Sequence, residues 1–143
     1  MLIGQLALAT AAVFAGAALY VNIVEHPARM MLDDRSLLVQ WKPAYARGTA
    51  MQAPLAIVGF VLGLAAWWAS GKWLWGLGAL AMIAPWPWTL LVIMPTNHRL
   101  ESLDALRDGA ESRNLLEKWG RLHAVRTGLG FTATLIYLWA SLR

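Results

Sequence analysis

The chain has 143 residues, 59% of them hydrophobic and 14% charged, with nine Trp and no Cys. An ordinary soluble domain carries about 25% charged residues, so a mean hydropathy of +0.51 excludes a disordered chain and argues against a water-soluble α/β enzyme. Without Cys there are no disulfides, thiolate metal sites, iron–sulfur clusters or cysteine nucleophiles. The formal charge of +4 takes its meaning from where the basic residues fall.

A membrane helix needs about 20 apolar residues to cross about 30 Å of hydrocarbon, with its backbone bonded internally. Residues 2–24 qualify, with one Gln, one Thr and one Asn as their polar side chains. The absence of a basic n-region and the apolar runs that follow favour a retained span over a signal peptide. Along this span Ala11, Ala15, Ala18, Asn22, Glu25 and Arg29 recur at alternating fours and threes. Such a face, small and then polar, packs inside a membrane bundle. His26 lies one turn beyond Asn22 and borders it. A basic stretch with Arg29, Arg35, Lys42 and Arg47 leads to a second apolar run, 53–70, which has no charge and contains Gly59-x-x-x-Gly63.

A short turn at Ser70–Gly71–Lys72, flanked by Trp67, Trp68, Trp73 and Trp75, opens the third run, 73–94. Pro85 and Pro87 each remove an intrahelical hydrogen bond, which predicts a kink. Past it, Pro95 can start a short interfacial helix carrying Asn97 and His98 one turn before Glu101. A second basic stretch holds Arg99, Arg107, Arg113, Lys118 and Arg121, with Asp104, Asp108, Glu111 and Glu117 as its solvated face. The fourth run, 122–142, has His123 and Arg126 near its start and a stripe of His123, Thr127, Gly130, Thr134, Tyr137 and Ser141.

The expected architecture is an all-α integral membrane protein, one domain over residues 1–143. Four transmembrane helices form a bundle, joined by two cytoplasmic loops that are helical in part. The positive-inside rule puts both basic loops in the cytoplasm and both termini outside, as in a bacterial inner-membrane protein. The net charge thus reports orientation and calls for no nucleic acid. The halves are similar: Trp41, Tyr45, Arg47 and Gly48 lead into span two as Trp119, His123, Arg126 and Gly128 lead into and open span four. A worn duplication and the ordinary enrichment of Trp and Arg at an interface both account for this.

All three His lie at the cytoplasmic ends of spans, where a bundle gathers them into one layer. His26, His98 and His123, with Glu25 or Glu101, are candidate ligands for iron, copper or zinc, although no metal-specific spacing such as H-E-x-x-H is present. Chemistry without a metal is the other reading. There a His removes an acidic proton from a lipophilic phenol or activated C–H, and Arg126, Arg99 or Asn97 holds the resulting anion. Arg126, a charge inside a span, needs a partner, for which Glu25 and Glu101 are the carboxylates near enough.

The run from Met94 through Pro95, Asn97 and Arg99 to Leu100, together with Trp119 through Arg126 and Thr127, resembles the two signatures of the anthrone-oxygenase-like family of small four-helix membrane proteins. The resemblance implies a cytoplasmic-side pocket in which Asn97, Arg99 and Arg126 matter. It also implies oxidation of a polycyclic anthrone to a quinone by dioxygen, without a cofactor. The expected function is therefore a membrane oxidoreductase acting on a lipophilic aromatic or quinone-like molecule, with His123, Arg126 and Asn97 as catalytic candidates. The alternative is a non-catalytic membrane protein that binds a small molecule or another subunit. The expected partners are the bilayer, a lipophilic small molecule and further copies of the chain.

Overall fold

The computed structural model describes residues 1–143 as four long helices and no strand. They are α1 (Leu2–Met30), α2 (Asp34–Ser70), α3 (Trp73–Ser102) and α4 (Gly109–Leu142). Each of α1 and α3 packs against both α2 and α4, which closes an up-down-up-down bundle. Three helices, α1 to α3, are long and apolar enough to cross a membrane. The apolar part of α4 falls short in composition because it carries Arg126, Thr127, Thr132, Thr134 and Ser141. It nevertheless lies in the same bundle, between α1 and α3.

The basic stretches expected as loops are mostly helix. Only Met31–Asp33 and Leu103–Asp108 interrupt the helices at that end, apart from single turns within the second. At 1.5 Å per residue α2 is about 55 Å long and α4 about 50 Å, well beyond a hydrocarbon slab of about 30 Å. The excess forms a cap with its own core of Leu37, Leu38, Trp41, Leu100, Leu116 and Trp119. The opposite end holds a second core around Ala7, Ala11, Phe14, Trp75, Met82 and Tyr137. Trp75 is thus a core residue, 3% exposed, whereas Trp67, Trp68, Trp73 and Trp139 face outward as an aromatic rim.

Local chemistry sets the ends of α2. Asp33 accepts from the N–H groups of Ser36 (2.9 Å) and Arg35 (3.1 Å) and from the Ser36 hydroxyl (2.8 Å), capping the helix. These bonds, the Ser36 N–H foremost, hold its carboxyl below the ordinary 3.8. At the other end Gly71 takes the left-handed conformation (φ 68°) and donates its N–H to the Trp67 carbonyl. In the cap, Arg113 ties α4 to the α1–α2 turn through Asp34 and the Met30 and Leu32 carbonyls. Lys42 donates to the Glu101 and Leu103 carbonyls at the end of α3.

Both halves contain the same backbone device. A π-turn at Val21–Glu25 ends two residues before Pro27, and another at Thr89–Ile93 ends two residues before Pro95. Proline lacks the N–H that the regular ladder requires, and a wider turn before it re-registers the helix. The expected break in α3 lies at Ala84, immediately before Pro85.

Candidate functional site

Between the two cores lies a layer of polar side chains drawn from all four helices. At 1.5 Å per residue its members stand about 25–40 Å from the Gly71 end, from the far edge of a hydrocarbon slab into the cap. Its centre is a hydrogen-bonded group on α1 and α4. Asn22 donates from Nδ2 to the Gly120 carbonyl (3.0 Å), which fixes the orientation of the amide. Its Oδ1 then accepts from the Thr127 hydroxyl (2.6 Å) and faces His123 Nδ1 at 2.8 Å. An amide oxygen only accepts, so His123 carries its proton on Nδ1 and, when neutral, presents a bare Nε2. No side chain of the protein bonds Nε2, and His123 lines a small cavity.

His26 is held differently. Arg29 Nη1 donates to His26 Nδ1 (3.0 Å), so the proton of this neutral ring is on Nε2. The ring lies against Gly120, where a Cβ would collide with it. Arg29 is 2% exposed and fully engaged: it also donates to Glu25 (2.6 Å) and to Gln40, and it stands 5.6 Å over the Trp119 ring. Trp119 in turn packs on both imidazoles, with ring centroids 5.4 Å from His26 and 4.9 Å from His123.

The expected partners of Arg126 do not reach it. Glu25 is taken by Arg29, one turn away on its own helix, and Glu101 is exposed. Arg126 instead donates from Nη2 to Gln52 (3.1 Å) and lies 5.8 Å over the Phe14 ring, while its Nε–H is covered and unpartnered. Across the cavity Asn97 is 1% exposed and donates from Nδ2 to the Tyr45 hydroxyl (3.2 Å), leaving its Oδ1 without a partner. The cavity these groups surround is lined by Tyr45, Gln52, Asn97, Trp119, His123 and Arg126, among others. Its space for the centre of a water-sized molecule is about 30 Å³, enough for one or two waters.

The structure therefore joins His123, Arg126 and Asn97 around one chamber, with His26 and Glu25 beside it. His98 and Glu101 are exposed on α3, and Arg99 points away to pair with Glu111 at 2.7 Å. The five candidate metal ligands consequently do not converge: no three His, Asp or Glu side chains stand together in a metal-holding arrangement. Sequence reasoning missed Gln52, Tyr45, Gln40 and the positioning role of Arg29. Gln52 is an uncharged polar residue just before an apolar run, and Arg29 follows Glu25 by one turn. Those two signals were present in the sequence.

The repeated Trp motifs meet in this layer. Trp41 stacks on Tyr45 (4.8 Å, 7° between planes), Trp119 packs on His123, and the two Trp rings touch edge to face at 6.0 Å. Asn22 from the first half bonds His123 of the second, and Asn97 from the second bonds Tyr45 of the first. These contacts tie the two halves together across the layer.

A four-helix bundle of membrane-spanning character, with a small polar chamber at one end of its apolar core, is the class of protein these features define. The family model described as anthrone oxygenase matches residues 41–136, about two thirds of the chain, and the chain belongs to that family. The matched region contains Tyr45, Gln52, Asn97, Trp119, His123 and Arg126 and excludes Asn22 and His26. No curated protein and no solved structure matches the chain.

Proposed function

We propose that this protein is a membrane oxidoreductase that oxidises a lipophilic, anthrone-like aromatic with dioxygen, using His123 and Arg126 in a chamber that has to open beyond its present space of one or two waters to admit the ring. The observation that carries the proposal is the pairing, around one chamber, of a bare imidazole nitrogen, held by the Asn22–His123 bond, with the guanidinium of Arg126, whose side-chain partner is the neutral Gln52. His123 and Arg126 are three residues apart on α4, so their Cβ atoms are about 5–6 Å apart.

His123 Nε2 takes a proton from the methylene, and the electron pair moves through the ring onto the carbonyl oxygen. Arg126 stabilises the oxyanion in a site sheltered from water. Asn97, the remaining polar group on that wall, orients the substrate edge. Dioxygen, the oxidant, then accepts electrons from the anion. For the parent compound the balance is one anthrone and one dioxygen giving one anthraquinone and one water. Two hydrogens leave the methylene carbon, which becomes a carbonyl. Neither flavin nor metal is needed to balance the reaction.

The basic, capped end of the bundle is cytoplasmic in this proposal, with both termini outside a bacterial inner membrane. The concentration of Arg and Lys at that end supports this orientation, as does the Trp rim at the other. The test of function is oxygen uptake by purified protein in lipid nanodiscs supplied with anthrone. The expected result is equimolar uptake and quinone formation above the empty-nanodisc rate, lowered at least a hundredfold in His123→Ala and Arg126→Gln. Wild-type protein that adds nothing to the empty-nanodisc rate contradicts the proposal.

A further inference from the structure

Arg126 also borders a second cavity. Outside the polar chamber, between α2 and α3, lies an apolar groove of about 230 Å³ lined by Ala53, Ala56, Pro85, Trp86, Leu90 and Met94, with Arg126 and Thr49 at the boundary shared with the chamber. The break at Ala84 and Pro85 shapes one wall of this groove. Leu90 is exposed at its outer side. At 1.5 Å per residue from the Gly71 turn, these residues stand about 20–35 Å along the bundle, within or at the edge of the slab that lipid would occupy. The groove is thus a side access from the bilayer, and the guanidinium stands at its inner end.

The charge balance there is incomplete. Glu25 is the one carboxylate lining either cavity, and Arg29 already neutralises it. Arg126 makes no ion pair; its polar partner is the neutral Gln52. A guanidinium at membrane depth is costly unless paired with an opposite charge, and the covered Nε–H adds an unmet donor. A carboxylate or phenolate oxygen supplies the missing charge to the part of the guanidinium that lines the groove.

We infer that the groove between α2 and α3 is a binding site for a lipophilic aromatic anion, whose flat body lies against Pro85 and Trp86 and whose oxyanion rests on Arg126. The site adjoins the chamber proposed for oxidation, but it requires only the charge of Arg126 and the shape of the groove. Binding selects the ligand already ionised, and the bilayer concentrates its apolar body in front of the groove.

The test compares anthracene-9-carboxylate with its neutral counterpart anthracene-9-carboxamide. Binding is read by fluorescence titration of the full chain in phosphatidylcholine nanodiscs, with empty nanodiscs subtracted. The expected result is at least tenfold tighter binding of the carboxylate. Arg126→Gln removes that preference, Arg126→Lys keeps most of it, and Ala53→Phe weakens both ligands at least tenfold by filling the groove. Equal binding of the two ligands by wild-type protein overturns the inference, as does a preference that survives in Arg126→Gln. If Arg126→Gln does not fold, the wild-type comparison decides the charge and Ala53→Phe decides the place. Because turnover is not read, carboxylate-selective binding without oxygen uptake would sink the oxidase proposal and leave this inference standing.

Discussion

Asn22 makes three hydrogen bonds from one amide, to Gly120, Thr127 and His123, and so decides which nitrogen of His123 is bare. Asn22→Ala removes that constraint and leaves a buried hydroxyl and imidazole to find other partners. At metal sites, loss of the group that orients a liganding His costs about 10–100-fold in activity. The same drop is expected here, with 15N NMR reporting His123 as a mixture of tautomers in place of the Nδ1–H form alone. A single unchanged tautomer in the variant would show that Asn22 does not set it. His123 and Asn97 were legible in the sequence because polar residues at span ends are few. The partner of Arg126 was not, because Glu25 and Arg29 pair across one turn of their own helix, a contact that needs no chain closure. Counting carboxylates near a span end cannot reveal that local competition.

At the scale of helices, Gly59 and Gly63 of α2 were readable as a close-packing signal, but what fills the space was not. Tyr137 of α4 donates to the Gly59 carbonyl at 2.8 Å, and its hydroxyl occupies the space that a Cβ on Gly63 would need. Gly63→Ala therefore overpacks the core and is expected to destabilise the bundle by about 1–3 kcal/mol, measured as a shift in its unfolding in detergent. Helix was expected in part of the basic loops, and its extent there is greater. Runs of Arg, Lys, Asp and Glu look like loop, yet Leu37, Leu38 and Trp41 on α2 meet Leu116 and Trp119 on α4 at helical spacing and build the cap. Asp33 starts that part of α2. Its carboxyl pKa is depressed by folding, so its contribution is present above the unfolded value and is lost as pH falls through the lower folded one. Protection of the first-turn amides of α2, relative to the unstructured exchange rate at the same pH, should fall below about pH 4, and Asp33→Ala should show low protection at neutral pH also. Equal exchange in both proteins at neutral pH would remove Asp33 as the cap.

For the molecule as a whole, the hydrophobic pattern identified the bundle, and the placement of charge gave its two unlike ends. With no native Cys, single Cys residues can be introduced at Lys72 and at Arg107, which lie at opposite ends of the bundle. In intact cells a membrane-impermeant thiol reagent should label the Lys72→Cys protein alone; labelling of Arg107→Cys alone would invert the orientation. The polar chamber is a product of the assembled bundle, since Asn22, Tyr45, Asn97 and His123 come from four different helices. No single segment reveals it. What that chamber does is tested most directly by proton exchange at the methylene of anthrone in deuterated buffer without dioxygen, where the abstraction step is isolated from oxidation. The wild-type protein in nanodiscs should speed deuterium uptake well above the empty-nanodisc rate, and His123→Ala should return it to that background. Exchange at the background rate with the wild-type protein, or undiminished exchange in His123→Ala, would contradict the assignment of His123 as the base.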